Sequence, residues 1–217
     1  MEDSYRDKGL RKQLLAELRL KGITDEQVLA AMDRIPRHLF VDSAFKELAY
    51  RDMALRIGAD QTISQPYTVA FQTQMLEIKK TDKVLEVGTG SGYQAAVLGE
   101  LGARVFTIER QKLLYDTAKV FLVKLNPFYK IRFFFGDGYK GIPSYAPYDK
   151  IIVTCGAPFI PKDLIDQLKP GGLAMIPVGE GEVQKMILLK KSASGEISME
   201  EKGDFRFVPM LENRTGI

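Results

Sequence analysis

The sequence has one cysteine, Cys155, and one histidine, His38. A single thiol leaves no partner for an internal disulfide and excludes a cysteine-rich zinc site. A single imidazole argues against a histidine-based metal centre, so no metal is expected. Charge of one sign is also scarce: 31 Lys and Arg stand against 28 Asp and Glu, a formal net charge of +3. That gives no case for nucleic-acid binding, which needs a clustered basic face. No run approaches the roughly 20 apolar residues that span a bilayer. The start, Met1-Glu2-Asp3-Ser4-Tyr5-Arg6, has neither the basic nor the apolar region of a signal peptide. The expectation is a soluble cytoplasmic protein without membrane or nucleic-acid partners, and a monomer. At 217 residues it is long enough for one large α/β domain with an N-terminal elaboration.

What is present is concentrated in residues 84–93, Val84-Leu85-Glu86-Val87-Gly88-Thr89-Gly90-Ser91-Gly92-Tyr93. A short apolar strand-like run ends in a carboxylate, and three glycines then alternate with small hydroxyl residues. An apolar helical stretch follows at once. This is how a strand delivers backbone to a ligand at a helix N-terminus, because glycine permits positive φ and close approach to the main chain. A second short strand, Val105-Phe106-Thr107-Ile108, ends in Glu109, 21 positions after Gly88. A carboxylate about 20 residues beyond such a loop is the usual ribose-hydroxyl acceptor in doubly wound nucleotide-binding folds. The dinucleotide fingerprint needs a third glycine to pack helix on strand, and that place is Tyr93. Glu86 would repel a pyrophosphate but attract an ammonium or sulfonium group. The pattern points to S-adenosylmethionine.

Helical spacing covers residues 8–20 through Leu10, Leu14, Leu15 and Leu18. Thr24-Asp25-Glu26-Gln27 reads as a capping box with Thr24 at the N-cap, opening a helix that Pro36 ends. Residues 37–65 keep no regular period, and 66–78 resume a helical one. From Lys83 the pattern alternates, with strands expected at 83–87, 104–108, 131–135, 149–154 and 173–177, then 185–191 and 205–210. Helices are expected at 93–101, 111–125 and 161–168. The fold class is therefore α/β: a doubly wound, Rossmann-like, mostly parallel sheet with helices on both faces, an N-terminal helical cap and an antiparallel C-terminal strand addition. Residues 1–217 read as one domain, with 1–80 as cap and substrate loop and 81–217 as core. Phe133-Phe134-Phe135 reads as a buried strand rather than a base-stacking platform.

Residues 84–98 resemble the first motif of class I S-adenosylmethionine-dependent methyltransferases, and 105–109 their ribose-binding strand. Three segments narrow the resemblance to the protein-L-isoaspartate O-methyltransferases: Pro36-Arg37-His38-Leu39-Phe40-Val41, Thr62-Ile63-Ser64-Gln65-Pro66-Tyr67, and residues 88–98. Gly136-Asp137-Gly138 and Arg206-Phe207-Val208-Pro209 add to them. The chain departs from the family in having Ile142 for a frequent tryptophan, Asp60 for a frequent glycine before Gln61, and Thr154-Cys155-Gly156-Ala157-Pro158 in place of an alanine run. Asp60 lies beside the expected substrate loop, where it would touch substrate preference.

The resemblance implies methylation of the free carboxylate of L-isoaspartyl residues in damaged proteins and peptides, with S-adenosyl-L-homocysteine as product and a succinimide as the next species. It implies that Glu86 and the loop Gly88, Thr89, Gly90, Ser91 and Gly92 face the methionine part of the cofactor. Glu109 then takes the ribose, and Asp137 and Gly138 the adenine. Ser64 is the implied catalytic residue, donating to the substrate carboxylate. Gln61, Thr62 and Ile63 shape its loop, and Phe207 and Val208 offer main-chain bonds to the peptide. From the residues alone, Ser64 equally suits a turn or a helix cap, and Asp137 a turn. A methyltransferase for small molecules or RNA, a nicotinamide oxidoreductase and a non-catalytic binding protein are the competing classes.

Overall fold

The computed structural model describes residues 3–213 and residue 215. Seven strands form one sheet in the order β5-β4-β3-β6-β7-β8-β9, namely Ile131–Phe135, Arg104–Glu109, Lys83–Val87, Tyr148–Val153, Leu168–Val178, Gln184–Lys191 and Ile197–Phe205. The first five run parallel and the last two are antiparallel additions. The parallel centre needs cover on both faces, and residues 84–87 of β3 are accordingly at most 2% exposed. Strand order reverses at β3, which has β4 on one side and β6 on the other. In open α/β sheets such a switch point opens a crevice at the carboxyl ends of the strands.

One face carries most of the helices. α1 (Tyr5–Leu20), α2 (Glu26–Arg34) and α3 (Pro66–Met75) form a cap that packs with α4 (Tyr93–Glu100) and α5 (Lys112–Leu125). Their apolar stripes share one cluster with Val84, Val105, Ile152, Met175 and Met186 of the sheet. The opposite face is thinner, covered by α6 (Lys162–Asp166) and two 3-10 turns, Gly138–Lys140 and Pro143–Tyr145. There Phe106 packs on Tyr145 and Tyr148 with ring centroids 5.1 and 5.7 Å apart. Ile142, 5% exposed, sits in this core. The phenylalanine strand is the sheet edge, and Phe133–Phe135 are half-buried there rather than sealed on both faces.

Five expectations change. The cap of α2 is Asp25, whose carboxylate accepts from the N–H groups of Gln27 (2.9 Å) and Val28 (3.2 Å). A charged acceptor complements the helix dipole better than a threonine hydroxyl, and the Thr24 N–H instead donates to Gln74 Oε1 at 2.7 Å. The stretch without period contains a small hairpin, β1 (Leu55–Gly58) and β2 (Gln61–Ile63). β7 begins at Leu168 and α6 is only five residues long. The last strand is 197–205, not 205–210, because the tight turn at Ser192 to Glu196 feeds it directly: Ser192 N donates to Glu196 O at 2.8 Å. Residues 206–210 leave the sheet and bridge Gly156 instead.

Candidate active site

A cleft lies beyond the carboxyl ends of β3 and β4, where a doubly wound sheet binds its ligand. The glycine loop forms its floor. Gly88, Gly90 and Gly92 have φ of 98°, 52° and 84°, which the glycine-rich sequence permits. At Gly88 a side chain is doubly excluded, since a Cβ would lie 2.5 Å from Thr154 Oγ1. Thr154 Oγ1 donates toward the Gly88 carbonyl at 2.6 Å and lies 3.0 Å from that of Val87. Gly138 is needed for another reason: a Cβ there would meet Val87 Cγ1 at 2.5 Å.

Glu109 ends β4 with its carboxylate fixed by backbone. Gly90 N donates to Oε2 at 2.9 Å and Gln111 N to Oε1 at 2.8 Å. Each oxygen keeps further lone-pair capacity for hydroxyl donors from the cleft. Glu86 differs. Its side chain does not line the cleft; it is 0% exposed beneath the loop, and neither carboxylate oxygen has a hydrogen-bond partner. Burial pushes its pKa up to about 8, the nearby Thr107 hydroxyl lowers it without completing a bond, and the charge of Glu109 raises it. Thr107 and Thr89 bond each other at 2.6 Å.

The remaining expected cofactor residues divide. Thr89, Ser91 and Gly138 line the cleft with Gly88, Gly90 and Glu109. Gly92 lies behind it, where a Cβ would meet Leu122 Cδ1 at 2.8 Å. Asp137 also stays off the cleft. Its Oδ1 accepts from Tyr139 N at 3.0 Å, as a turn residue does, and its Oδ2 from Asn213 N at 3.2 Å. That second bond belongs to a strap no sequence pattern revealed. Residues 210–213 and Thr215 lie beside the cleft, with Tyr139 Oη donating to Met210 O at 3.2 Å and Arg110 Nε to Asn213 O at 2.8 Å. Thr215 N donates to Arg110 O at 2.9 Å.

A second, open groove of about 1550 Å³ runs beside the cleft. Four residues line both spaces: Thr62, Ser64, Thr154 and Val208. Gln61 and Ile63 face the cleft alone, and Phe207 the groove alone. The Ser64 hydroxyl has no hydrogen-bond partner among the described residues. It does not cap α3, whose N-cap position is Gln65. The Phe207 N–H is already given to Gln184 Oε1 at 2.9 Å, and the Val208 carbonyl accepts from Gly156 N at 2.8 Å. Thr154 escaped the sequence reading, although it follows β6 directly, the strand beside the switch point. Cys155 also lines the cleft, and burial pushes its thiol up to about 12.

His38 lies elsewhere, 4% exposed in the cap with Nδ1 2.7 Å from Tyr50 Oη. Ligand-type atoms of Asp3, Asp7 and His38 come within 4.8 Å of one another. Asp3 is forked onto Arg11 at 3.0 Å and Asp7 caps α1 through Ser4, so the group is a polar tie within the cap.

The profile of the family described as protein-L-isoaspartate(D-aspartate) O-methyltransferase (PCMT) matches residues 9–215. The chain belongs to this family. A protein-L-isoaspartate O-methyltransferase of Christiangramia forsetii is 60% identical over 215 residues, 99% of this chain and 100% of that protein. A solved protein-L-isoaspartate O-methyltransferase superposes with a TM-score of 0.83 at 30% identity, covering 94% of this chain and 66% of that one. A Plasmodium falciparum structure described as a putative member in complex with S-adenosyl-L-homocysteine shares the fold, with a TM-score of 0.81 at 23% identity over 94% of this chain and 99% of that one. As a family member the chain is an S-adenosylmethionine-dependent protein carboxyl O-methyltransferase. Among the described residues no helix is long and apolar enough to cross a membrane.

Proposed function

We propose that the chain methylates the free carboxylate of L-isoaspartyl residues in damaged proteins and peptides, starting their repair through a succinimide. The observation that carries this reading is the meeting of an enclosed cleft and an open groove at Thr62, Ser64, Thr154 and Val208. An open groove beside the cofactor cleft lets an extended peptide lie with one side chain reaching the four shared residues. The cleft suits S-adenosylmethionine. Its floor is the glycine backbone of Gly88 and Gly90, and its wall holds the Glu109 carboxylate for vicinal hydroxyls.

Bound there, S-adenosylmethionine supplies a methyl group already activated on sulfonium. The nucleophile needs no general base, because a carboxylate with a reference pKa near 4 is ionised at neutral pH. The protein's task is alignment, which in favourable models supplies roughly 7–11 kcal/mol. Ser64 donates a hydrogen bond from its hydroxyl to the substrate carboxylate, which stays ionised, and selects which oxygen faces the cleft. Gln61, Thr62 and Ile63 carry Ser64 there on β2, and Phe207 and Val208 wall the peptide groove. Glu109 binds the ribose, while Gly88, Thr89, Gly90, Ser91 and Gly138 give the remaining contacts. Glu86 lies beneath the loop without lining the cleft, and burial keeps its carboxyl largely protonated at neutral pH. The reading further includes a cytoplasmic monomer with protein rather than nucleic acid as partner, in keeping with a net charge of only +3.

Methyl transfer from labelled S-adenosylmethionine to a synthetic isoaspartyl peptide, beside its aspartyl twin, tests the proposal. Base-labile label on the isoaspartyl peptide alone is expected. Label on neither peptide, with cofactor still bound, overturns it.

A further inference from the structure

Ser64 stands where cleft and groove meet, just beyond the last paired residue of β2, and its hydroxyl makes no bond among the described residues. Helix α3 starts two residues later without a cap of its own: Gln65 makes no side-chain bond to the helix, and Pro66 has no N–H to offer. The first free donor, Tyr67 N, is satisfied from outside by Asp52, whose Oδ1 accepts at 2.8 Å. Asp52 Oδ2 accepts from Gln65 Nε2 at 3.0 Å and from Lys21 Nζ at 2.6 Å. The side chain is 3% exposed. Its carboxylate thus grips the residue after Ser64 and the first turn of the helix together, and charge-assisted bonds of this kind are the strong ones.

The segment bearing Asp52 is fixed in turn. Arg37, 1% exposed, donates from Nε to Ala49 O at 2.9 Å and reaches Met53 O from Nη2 at 3.5 Å. Its guanidinium lies 5.0 Å from the ring centroid of Tyr93, the residue that follows the glycine loop. A continuous set of contacts therefore runs from the cofactor loop through Tyr93 and Arg37 to the Asp52 segment, and through Asp52 to Ser64.

We propose that Asp52 is a positioning residue, which sets the Ser64 hydroxyl at the point where methyl donor and carboxylate meet. The assignment rests on the isoaspartyl reading of the site. Asp52 acts through Gln65 and Tyr67, so its loss should separate transfer from cofactor binding.

Two variants test this. Asp52→Ala removes the acceptor, while Asp52→Asn keeps one oxygen for Tyr67 N. In Asp52→Ala, kcat/KM for an isoaspartyl peptide should fall by about 10²-fold, the scale of an ångström of misplacement, with S-adenosyl-L-homocysteine affinity unchanged. Asp52→Asn should recover most of the loss. In a Ser64→Ala background Asp52→Ala should add little, as expected of residues acting as one unit. Hydrogen exchange at Tyr67 N reads the same bond without any substrate: protection should fall in Asp52→Ala and persist in Asp52→Asn. Additive losses in the double variant, unchanged kcat/KM in Asp52→Ala, or unchanged protection of Tyr67 would each overturn the proposal. Wild-type protein that transfers no methyl to the peptide would refute the isoaspartyl reading instead, and exchange alone would then decide the role of Asp52.

Discussion

Glu86 and Ser64 are side chains at the site whose polar atoms have no partner among the described residues. Glu86 has a folded pKa of about 8, raised chiefly by burial, against an ordinary value of 4.5. Between those values the folded chain holds a proton that the unfolded chain releases. The stability Glu86 contributes is therefore full below about pH 4.5 and is lost as pH rises through about 8. Glu86→Gln should match the wild type in thermal unfolding near pH 5 and exceed it by a few kcal/mol, on the order of 1.4 per pKa unit, near pH 9. A cofactor-free melting series across that range checks this. Ser64→Ala should lower turnover by about 10- to 100-fold and leave cofactor affinity intact, whereas Glu109→Ala should weaken cofactor binding first. Calorimetric titration beside the transfer assay separates the two. Residues tied to a spacing rule, such as Gly88 and Glu109, were legible in the sequence. Thr154 and Asp52 were not, since each acts by a contact with a distant segment that no local pattern encodes.

The hairpin of β1 and β2 shows what a local pattern fails to reveal at the level of elements. Its strands are four and three residues long, too short for alternation to register, and its turn lacks the glycine that signals a hairpin. Ala59 and Asp60 both have positive φ, 49° and 54°, as a type I′ turn demands and as glycine or asparagine would accept more easily. The Asp60 departure thus falls on a turn position, where it strains the backbone. The paired substitutions Ala59→Asn and Asp60→Gly should stabilise the fold by about 1 kcal/mol without altering cofactor affinity. Denaturant unfolding would measure it. The long strands and helices of the core, by contrast, came straight from periodicity. Residues 206–210 misled because an extended segment lining a groove has the apolar content of a strand but pairs only at one bridge.

At the scale of the molecule, the sheet supplies the cleft, the cap supplies Ser64, and residues 210–213 run beside the mouth. Arg110 donates to the carbonyls of Asn213 (2.8 Å) and Glu212 (3.2 Å). Arg110→Ala should therefore quicken cofactor release by about fivefold, the equivalent of roughly 1 kcal/mol of hydrogen bonding. Stopped-flow displacement of a bound analogue would read it. The alternation of strand and helix announced the sheet, and the switch point follows from its topology. The strap has no periodicity and is defined only by what it lies across.

The strap also touches the one place where this enzyme resembles its own substrates. Asp137 precedes Gly138, and an aspartate followed by the least hindered backbone N–H is the pairing most open to ring closure with age. Two holds keep that carboxylate from its neighbour's nitrogen: Tyr139 N within the turn and Asn213 N on the strap. Without the Asn213 contact only the first would remain. A chain that lost the strap contact would hold this carboxylate less firmly, and would be more open to the very damage its family repairs.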